Sequence, residues 1–193
     1  MMTFIKIALT AANLFTLNQC FEIKTFYYKE KLEHTFIDGK SYTLVGDKNN
    51  KYYNLDQAVK PHPPMLKTSY FDTVRDIVLR NVDASKLTDI DKDAQIYVSM
   101  FFDPTSLKVI EVYFGFTAVT PLKFMTVEQL QKIDQDVKKL VRGEKRIGWY
   151  SQQEIDENFS KLKYIDGVGV SFYFSQIKEY KNGQIPKEKV APF

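Results

Sequence analysis

The chain has 193 residues, with 27 basic and 24 acidic side chains and a formal net charge of +3. This length suits one domain, or one domain with a small appendage, and it can bury a core without metals or disulfides. The charge is small and the two signs are interleaved, so we expect no nucleic-acid partner. Cys20 has no second cysteine to pair with, and His34 and His62 are far apart in sequence, so we expect no disulfide, metal site or cofactor.

Residues 1–20 are typical of a signal peptide. Lys6 precedes an apolar run from Ile7 to Leu17, which is too short to span a bilayer. We therefore expect export to the periplasm, and Cys20 lies where a bacterial lipoprotein carries its lipid. Two alternatives stay open: the signal is cleaved elsewhere without lipid attachment, or the chain is cytoplasmic and this segment is an ordinary strand or helix.

Residues 21–60 predict a small β-meander. Asp38-Gly39 between two apolar stretches is a strong hairpin signal. The pairs Tyr27-Tyr28 and Tyr52-Tyr53 are typical of half-buried sheet faces, although tyrosines of this kind also stack on sugars. Residues 61–67 contain three prolines and form a stiff connector to the main domain, which we place at residues 68–180.

The main domain is organised around a central hairpin at residues 96–116. Both halves alternate large apolar residues with the two-residue period of a strand, and Asp103-Pro104-Thr105-Ser106 between them predicts a type I turn. A helix before the hairpin has Thr68 or Ser69 as its expected N-cap. Its apolar stripe consists of Phe71, Val74, Ile77, Val78 and Val82.

Two further helices follow the hairpin, and each begins with a capping box. Thr126 with Gln129 starts the first, which we expect to end at Arg142-Gly143 with a left-handed glycine; Ser151 with Glu154 starts the second. A last strand from Val168 to Ser175 comes next, and the charged residues 181–193 predict a loose tail.

These elements predict an α+β fold: an antiparallel sheet with helices on one face, in the order helix-strand-strand-helix-helix-strand, preceded by the meander. Residues 97–112 form a strand, a polar turn and a Val-rich return, and through them the segment from Tyr70 to Ile177 resembles the C-terminal domain of the energy-transducing TonB proteins. The overall make-up is also similar to uncharacterised cell-envelope proteins of Bacteroidetes. These resemblances imply a TonB-like fold and export, and little about activity.

The candidate site residues are few. Arg142, Arg146, Trp149 and Tyr150 combine residue types that are frequent in binding hot spots, although cations at this place also complement a helix dipole. Two pairs of carboxylates, Asp134 with Asp136 and Asp72 with Asp76, lie near Lys and Arg and are expected on solvated helix faces.

We expect a non-enzymatic, exported envelope protein that binds a protein or peptide partner by strand addition, because no catalytic motif occurs in the sequence. One alternative is a carbohydrate or small-ligand binder that uses the tyrosine-rich meander. Another is an unrecognised hydrolase with a displaced carboxylate pKa. The only membrane contact expected is a lipid on Cys20, and the sequence does not determine the oligomeric state.

Overall fold

A computed structural model describes residues 26–32, 42–47, 49–52, 66–117, 123–146, 151–167 and 169–191. Its strands are β1 (Phe26–Leu32), β2 (Tyr42–Asp47), β3 (Gln95–Phe102), β4 (Val109–Thr117), β5 (Ile165–Asp166) and β6 (Val170–Tyr173). Its α-helices are α1 (Phe71–Asn81), α2 (Val127–Leu140), α3 (Gln152–Ser160) and α4 (Phe174–Lys181). Short 3₁₀ turns lie at Ala84–Lys86 and Lys187–Lys189.

The predicted hairpin is the centre of the sheet. β3 and β4 pair antiparallel from Gln95 opposite Thr117 to Phe101 opposite Glu111. The strands run in the order β1-β2-β4-β3-β5, and β6 pairs with β3 beside β5, all antiparallel. The predicted α+β class, with an antiparallel sheet, is confirmed.

The β1 edge of the described sheet contains a register shift, which falls between Lys29 and Leu32. At the other edge, β5 pairs with Phe101 and Phe102 of β3, and β6 pairs with Gln95 to Val98. An irregular edge strand makes uncontrolled pairing with other chains harder.

All four helices pack on one face of this sheet, as predicted. The alternate hairpin residues Ile96, Val98, Phe114 and Phe116 are fully or almost fully buried there. The predicted stripe of α1 joins the same cluster, as do the apolar residues of the other helices; these are Val74, Ile77, Val78, Leu130, Ile133, Val137, Ile155, Phe159, Phe174 and Ile177.

The loop between β3 and β4 extends beyond the predicted turn at residues 103–106. The Asp103 carbonyl accepts from the Leu107 N–H, and the Asp103 N–H donates to the Lys108 carbonyl, both at 2.9 Å. Leu107 has a φ of 54°, a left-handed conformation that is unfavourable for leucine. The loop is longer because β3 and β4 shift register at Phe102, and Leu107 is held by packing against the main core.

Two helix ends also differ from prediction. α1 begins after Tyr70 without a side-chain cap, because Thr68 contributes only its carbonyl, to the Phe71 N–H. α2 ends at Leu140 with an extended Val141, since the chain turns directly into β-like pairing with the hairpin; Gly143 does not have a positive φ. Both predicted capping boxes, at Thr126 and Ser151, are confirmed.

The predicted boundary near residue 61 does not separate two sheets, because β2 of the meander pairs with β4 of the main domain. The Asp38-Gly39 turn and most of the proline-rich connector lie outside the described residues. At the end of the predicted meander, Lys51 and Tyr52 do not form a strand, and their N–H groups donate to Glu111.

The C-terminal end of the chain was predicted as a strand and a loose tail, and the structure corrects both. The last strand ends at Tyr173, and Phe174 already begins α4, whose stripe of Phe174 and Ile177 is too short to be recognised from its period. After α4 the chain lies against the domain, because Val190 is fully buried in the main core and Lys187 pairs with Asp76 at 3.1 Å.

Candidate partner-binding surface

The segment that follows α2 connects two other parts of the chain. On one side the Gly143 N–H donates to the Leu107 carbonyl at 2.8 Å, and Arg142 forms an antiparallel bridge with Lys108. On the other side the Lys67 N–H donates to the Glu144 carbonyl at 2.8 Å, and Lys145 forms a bridge with Leu66. Residues 142–145 are therefore fixed by backbone hydrogen bonds at the tip of the central hairpin.

Arg142 is exposed and its guanidinium caps α2. Its Nη1 donates to the carbonyls of Val141 at 2.6 Å and Lys138 at 3.3 Å, two acceptors that the end of the helix leaves without partners. The helix dipole favours a cation at this position. Thus part of the predicted hot spot has a structural role in ending α2.

Several other cations of this region form ion pairs. Lys138 Nζ lies 2.9 Å from Asp134 Oδ1, Lys145 Nζ lies 2.7 Å from Asp156 Oδ1, and Lys67 pairs with Glu144. The ammonium of Lys145 also lies 4.6 Å from the centre of the Phe159 ring. These pairs leave Lys108, Lys139 and Arg146, all exposed, with no ion pair to another described residue.

Leu140 belongs to the same end of α2 and is 48% exposed, which makes it the single exposed large hydrophobic residue of the described chain. The term tip surface is used below for Lys108, Lys139, Leu140, Arg142 and Arg146. The hairpin brings Lys108 to it, and the sequence analysis missed Lys108 because its closeness to Arg142 depends on tertiary pairing.

Of the predicted site residues, Arg142 and Arg146 lie in the segment that follows α2, and both are exposed. Trp149, Tyr150, Cys20 and both histidines lie outside the described residues. Among the described residues, no group of three or more His, Cys, Asp or Glu side chains is arranged to hold a metal ion. Likewise, none of the described helices is both long and apolar enough to cross a membrane.

Asp134 and Asp136 are buried, which corrects the prediction of a solvated helix face. They are two residues apart on α2, so they point about 200° apart and flank its apolar stripe on opposite sides. Burial raises the pKa of Asp134, and Asp47 of β2 raises it further. A hydrogen bond from Lys132, supported by Arg80 of α1, lowers the pKa of Asp136. They therefore do not form a shared acid–base site. Asp72 and Asp76 are exposed as predicted.

The face of the hairpin opposite the helices contains a buried carboxylate that the sequence analysis missed. Glu111 is 5% exposed; its two oxygens accept the N–H groups of Lys51 and Tyr52, each at 2.9 Å, and Oε2 also accepts the Tyr113 hydroxyl at 3.2 Å. The Asn50 amide donates to the Val112 carbonyl at 2.7 Å. Glu111 therefore holds residues 50–52 against the sheet.

Tyr52, one of the tyrosines proposed to stack on sugars, packs within this structure. Its ring centre lies 4.9 Å from that of Tyr164, and Tyr164 packs edge-on against Phe101 at 5.3 Å. Together with Tyr113 these rings form a small aromatic cluster on the back face. The side chains of Tyr27, Tyr28 and Tyr53 are not among those described.

No protein-family model matches the chain, and no curated protein matches it either. A solved structure to which it is similar is that of a DUF5043 family protein from Bacteroides uniformis ATCC 8492, with 15% sequence identity and a TM-score of 0.48 over 78% of this chain and 86% of that one. The comparison does not support the resemblance to a TonB C-terminal domain.

Proposed function

We propose that the protein is a non-enzymatic, exported protein of the cell envelope that binds a protein or peptide partner by accepting a strand at the β1 edge. The observation in favour is the position of β1 at the end of the sheet. Within the described chain it pairs with β2 alone, so its second edge presents backbone donors and acceptors that an extended peptide can use.

The first half of β1 is better suited than the second half to pairing with a guest strand. Phe26 to Lys29 keep a regular register with β2, whereas the register shifts between Lys29 and Leu32. The second half also contains consecutive charged residues, Lys29, Glu30 and Lys31, which discourage indiscriminate pairing. A short guest strand along Phe26–Lys29 combines specific pairing with protection against aggregation.

Alternate proline substitution tests strand addition directly. Along a strand of an antiparallel pair, the backbone N–H groups point alternately toward the partner strand and away from it. One of the two N–H groups of Tyr27 and Tyr28 therefore faces β2, and the other faces outward. Hydrogen exchange of the free protein identifies the outward N–H as the faster one. Proline there removes a donor for the guest strand and leaves the β1–β2 pairing intact.

The binding assay uses extended peptides selected from a random library against the wild-type protein. We expect proline at the outward position to abolish their binding without changing the melting temperature, and the bound peptide to slow exchange of the outward amide. Proline at the inward neighbour is the matched control and is expected to lower stability. Peptides that bind the outward-proline variant with wild-type affinity contradict strand addition.

Export and lipid attachment are tested separately, by mass spectrometry of the native N-terminus. A chain that begins with a lipidated Cys20 supports membrane anchoring, and a chain cleaved at another site near residue 20 supports release into the periplasm. An intact residue 1 in the mature protein contradicts the proposed export.

A further inference from the structure

Lys108 and Arg142 lie directly opposite each other in the antiparallel bridge at the tip surface. The Gly143 N–H donates to the Leu107 carbonyl, so Lys108 and Arg142 themselves form a non-hydrogen-bonded pair. In pairs of this type the opposed side chains come closest. Like charges in this arrangement destabilise the folded protein. No carboxylate of the described chain pairs with either residue.

The backbone of both residues and the side chain of Arg142 are held in position before any ligand arrives. Residues 142–145 are fixed between the hairpin and Leu66–Lys67 by backbone hydrogen bonds, and Arg142 Nη1 is held by two carbonyls of α2. The other guanidinium nitrogens of Arg142 make no hydrogen bond to a described residue, so they keep donors for an acceptor. A fixed side chain loses less conformational entropy when it binds.

We infer that the tip surface binds an acidic segment of a peptide or protein, with a carboxylate placed between Lys108 and Arg142. An anion there removes the repulsion between the two cations and forms charge-assisted hydrogen bonds with both. The exposed Leu140, in the last turn of α2, is available to an apolar residue of the same segment. This inference rests on the proposed function only in that the partner is a peptide or protein, and it uses no residue of β1.

A peptide fits the observations better than a membrane does. Anionic lipid surfaces are bound by larger basic clusters or by amphipathic helices with a broad apolar face. The described part of the tip surface offers a single exposed large apolar side chain, and Lys138 and Lys145 are already neutralised by Asp134 and Asp156. A cation pair with one apolar neighbour suits a short acidic sequence.

The test measures fluorescence anisotropy of a labelled peptide of Glu and Leu residues with the full chain at low salt. We expect Lys108→Glu to weaken binding by about tenfold, which is the size of one charge-assisted hydrogen bond. Lys163→Glu is the matched control, because Lys163 is also exposed and the substitution changes the net charge equally. The control is expected to change affinity much less.

Several results would overturn the inference: no binding of the peptide by the wild-type protein, equal weakening by both substitutions, or an unchanged affinity in Lys108→Glu. Phosphatidylserine vesicles provide a second probe. Vesicle binding that Lys108→Glu abolishes, with no binding of the peptide, assigns the surface to lipid instead. The proline variant of β1 is expected to bind the acidic peptide normally, so failure of strand addition and failure of this inference are distinguishable.

Arg142→Lys provides a milder variant, since it keeps the charge and loses the planar fork. We expect it to weaken peptide binding while the far-ultraviolet circular dichroism stays that of the wild type. Full affinity in this variant contradicts the role given to the guanidinium.

Discussion

The helix-covered face of the β3–β4 hairpin consists of apolar side chains, whereas the opposite face combines aromatic rings with serines and a carboxylate. Met100 and Phe114 on the first face belong to the main core of apolar residues. Ser99 and Glu111 on the second face are also buried, and the Glu111 carboxylate accepts directed hydrogen bonds. The stability of the first face therefore depends on how well apolar side chains fill the space, and the stability of the second depends on the geometry of its hydrogen bonds.

The largest difference between the faces is expected from removal of an aromatic ring. Phe114→Ala opens a cavity in the main core and should lower the free energy of unfolding by about 3–5 kcal/mol. Phe101→Ala, on the back face, is the matched comparison and should lower it less, because its cluster is smaller. Urea denaturation measures both. Equal losses would mean that the back face is packed as tightly as the core.

Gly169→Ala tests close packing at the start of β6. A Cβ at Gly169 would overlap the Tyr97 hydroxyl and ring on the back face, so the substitution should destabilise by about 1–3 kcal/mol. The double variant with Tyr97→Ser should recover part of this loss, because the obstructing ring is gone. Thermal unfolding of the two variants is the measurement, and an unaltered melting temperature in Gly169→Ala contradicts the overlap.

Glu111→Leu tests the directed hydrogen bonds of the back face. It leaves the N–H groups of Lys51 and Tyr52 without their acceptor, which should lower stability by about 1–3 kcal/mol. Hydrogen exchange at Lys51 and Tyr52 should accelerate while exchange in α2 stays slow. Uniform acceleration throughout the protein would contradict a local role for Glu111.

The two buried aspartates of α2 should respond to pH in opposite directions. The folded-state pKa of Asp136 is lowered, so its stabilisation is present above the unfolded pKa and is lost as the pH falls through the folded value. The folded-state pKa of Asp134 is raised, so its favourable contribution is present below the unfolded pKa and is lost as the pH rises through the folded value. Asp136→Asn should therefore destabilise at neutral pH.

Asp134→Asn should be neutral or stabilising at the same pH, because it removes a buried charge. Unfolding curves of the two variants between acid and neutral pH provide the comparison. The same sign of change in both variants at neutral pH would contradict the opposite pKa shifts.

The smallest expected effect is at the tip surface. Lys108→Glu converts a like-charge cross-strand pair into an opposite-charge pair, so it should stabilise by about 0.2–1 kcal/mol while it weakens binding of the acidic peptide. Thermal unfolding at low salt, repeated at high salt where the gain should shrink, measures this. A lower melting temperature would contradict the repulsion between Lys108 and Arg142.

Local sequence patterns predicted the structure correctly where the contacts that determine it join residues only a few positions apart. The capping boxes at Thr126 and Ser151 join groups three residues apart, so their side chains identify them. The full length of the hairpin loop was not predicted, because it depends on the register of β3 against β4. The burial of Asp134 and Asp136 was missed because the cations beside them in sequence do not indicate the packing of α1 and β4 against α2.

The candidate site likewise contains residues that the sequence identified and residues that only tertiary contacts revealed. Arg142 and Arg146 were found from residue type and position, whereas Lys108 joins them only through the pairing of the hairpin with the segment after α2. The sequence did not identify Glu111 as a buried residue, because a single glutamate in an apolar strand has the pattern of an exposed position. Its role arises from contacts with residues about 60 positions earlier in the chain.

The sequence by itself determined the strand and helix periods, the capping boxes and the α+β class, because each follows from side chains close together in the chain. Tertiary structure decided the form of the hairpin turn, the joining of the meander to the main sheet, the docking of the C-terminal segment and the opposed cations at the tip surface. Each of these depends on residues far apart in sequence, and only the packed sheet brings them within reach of one another.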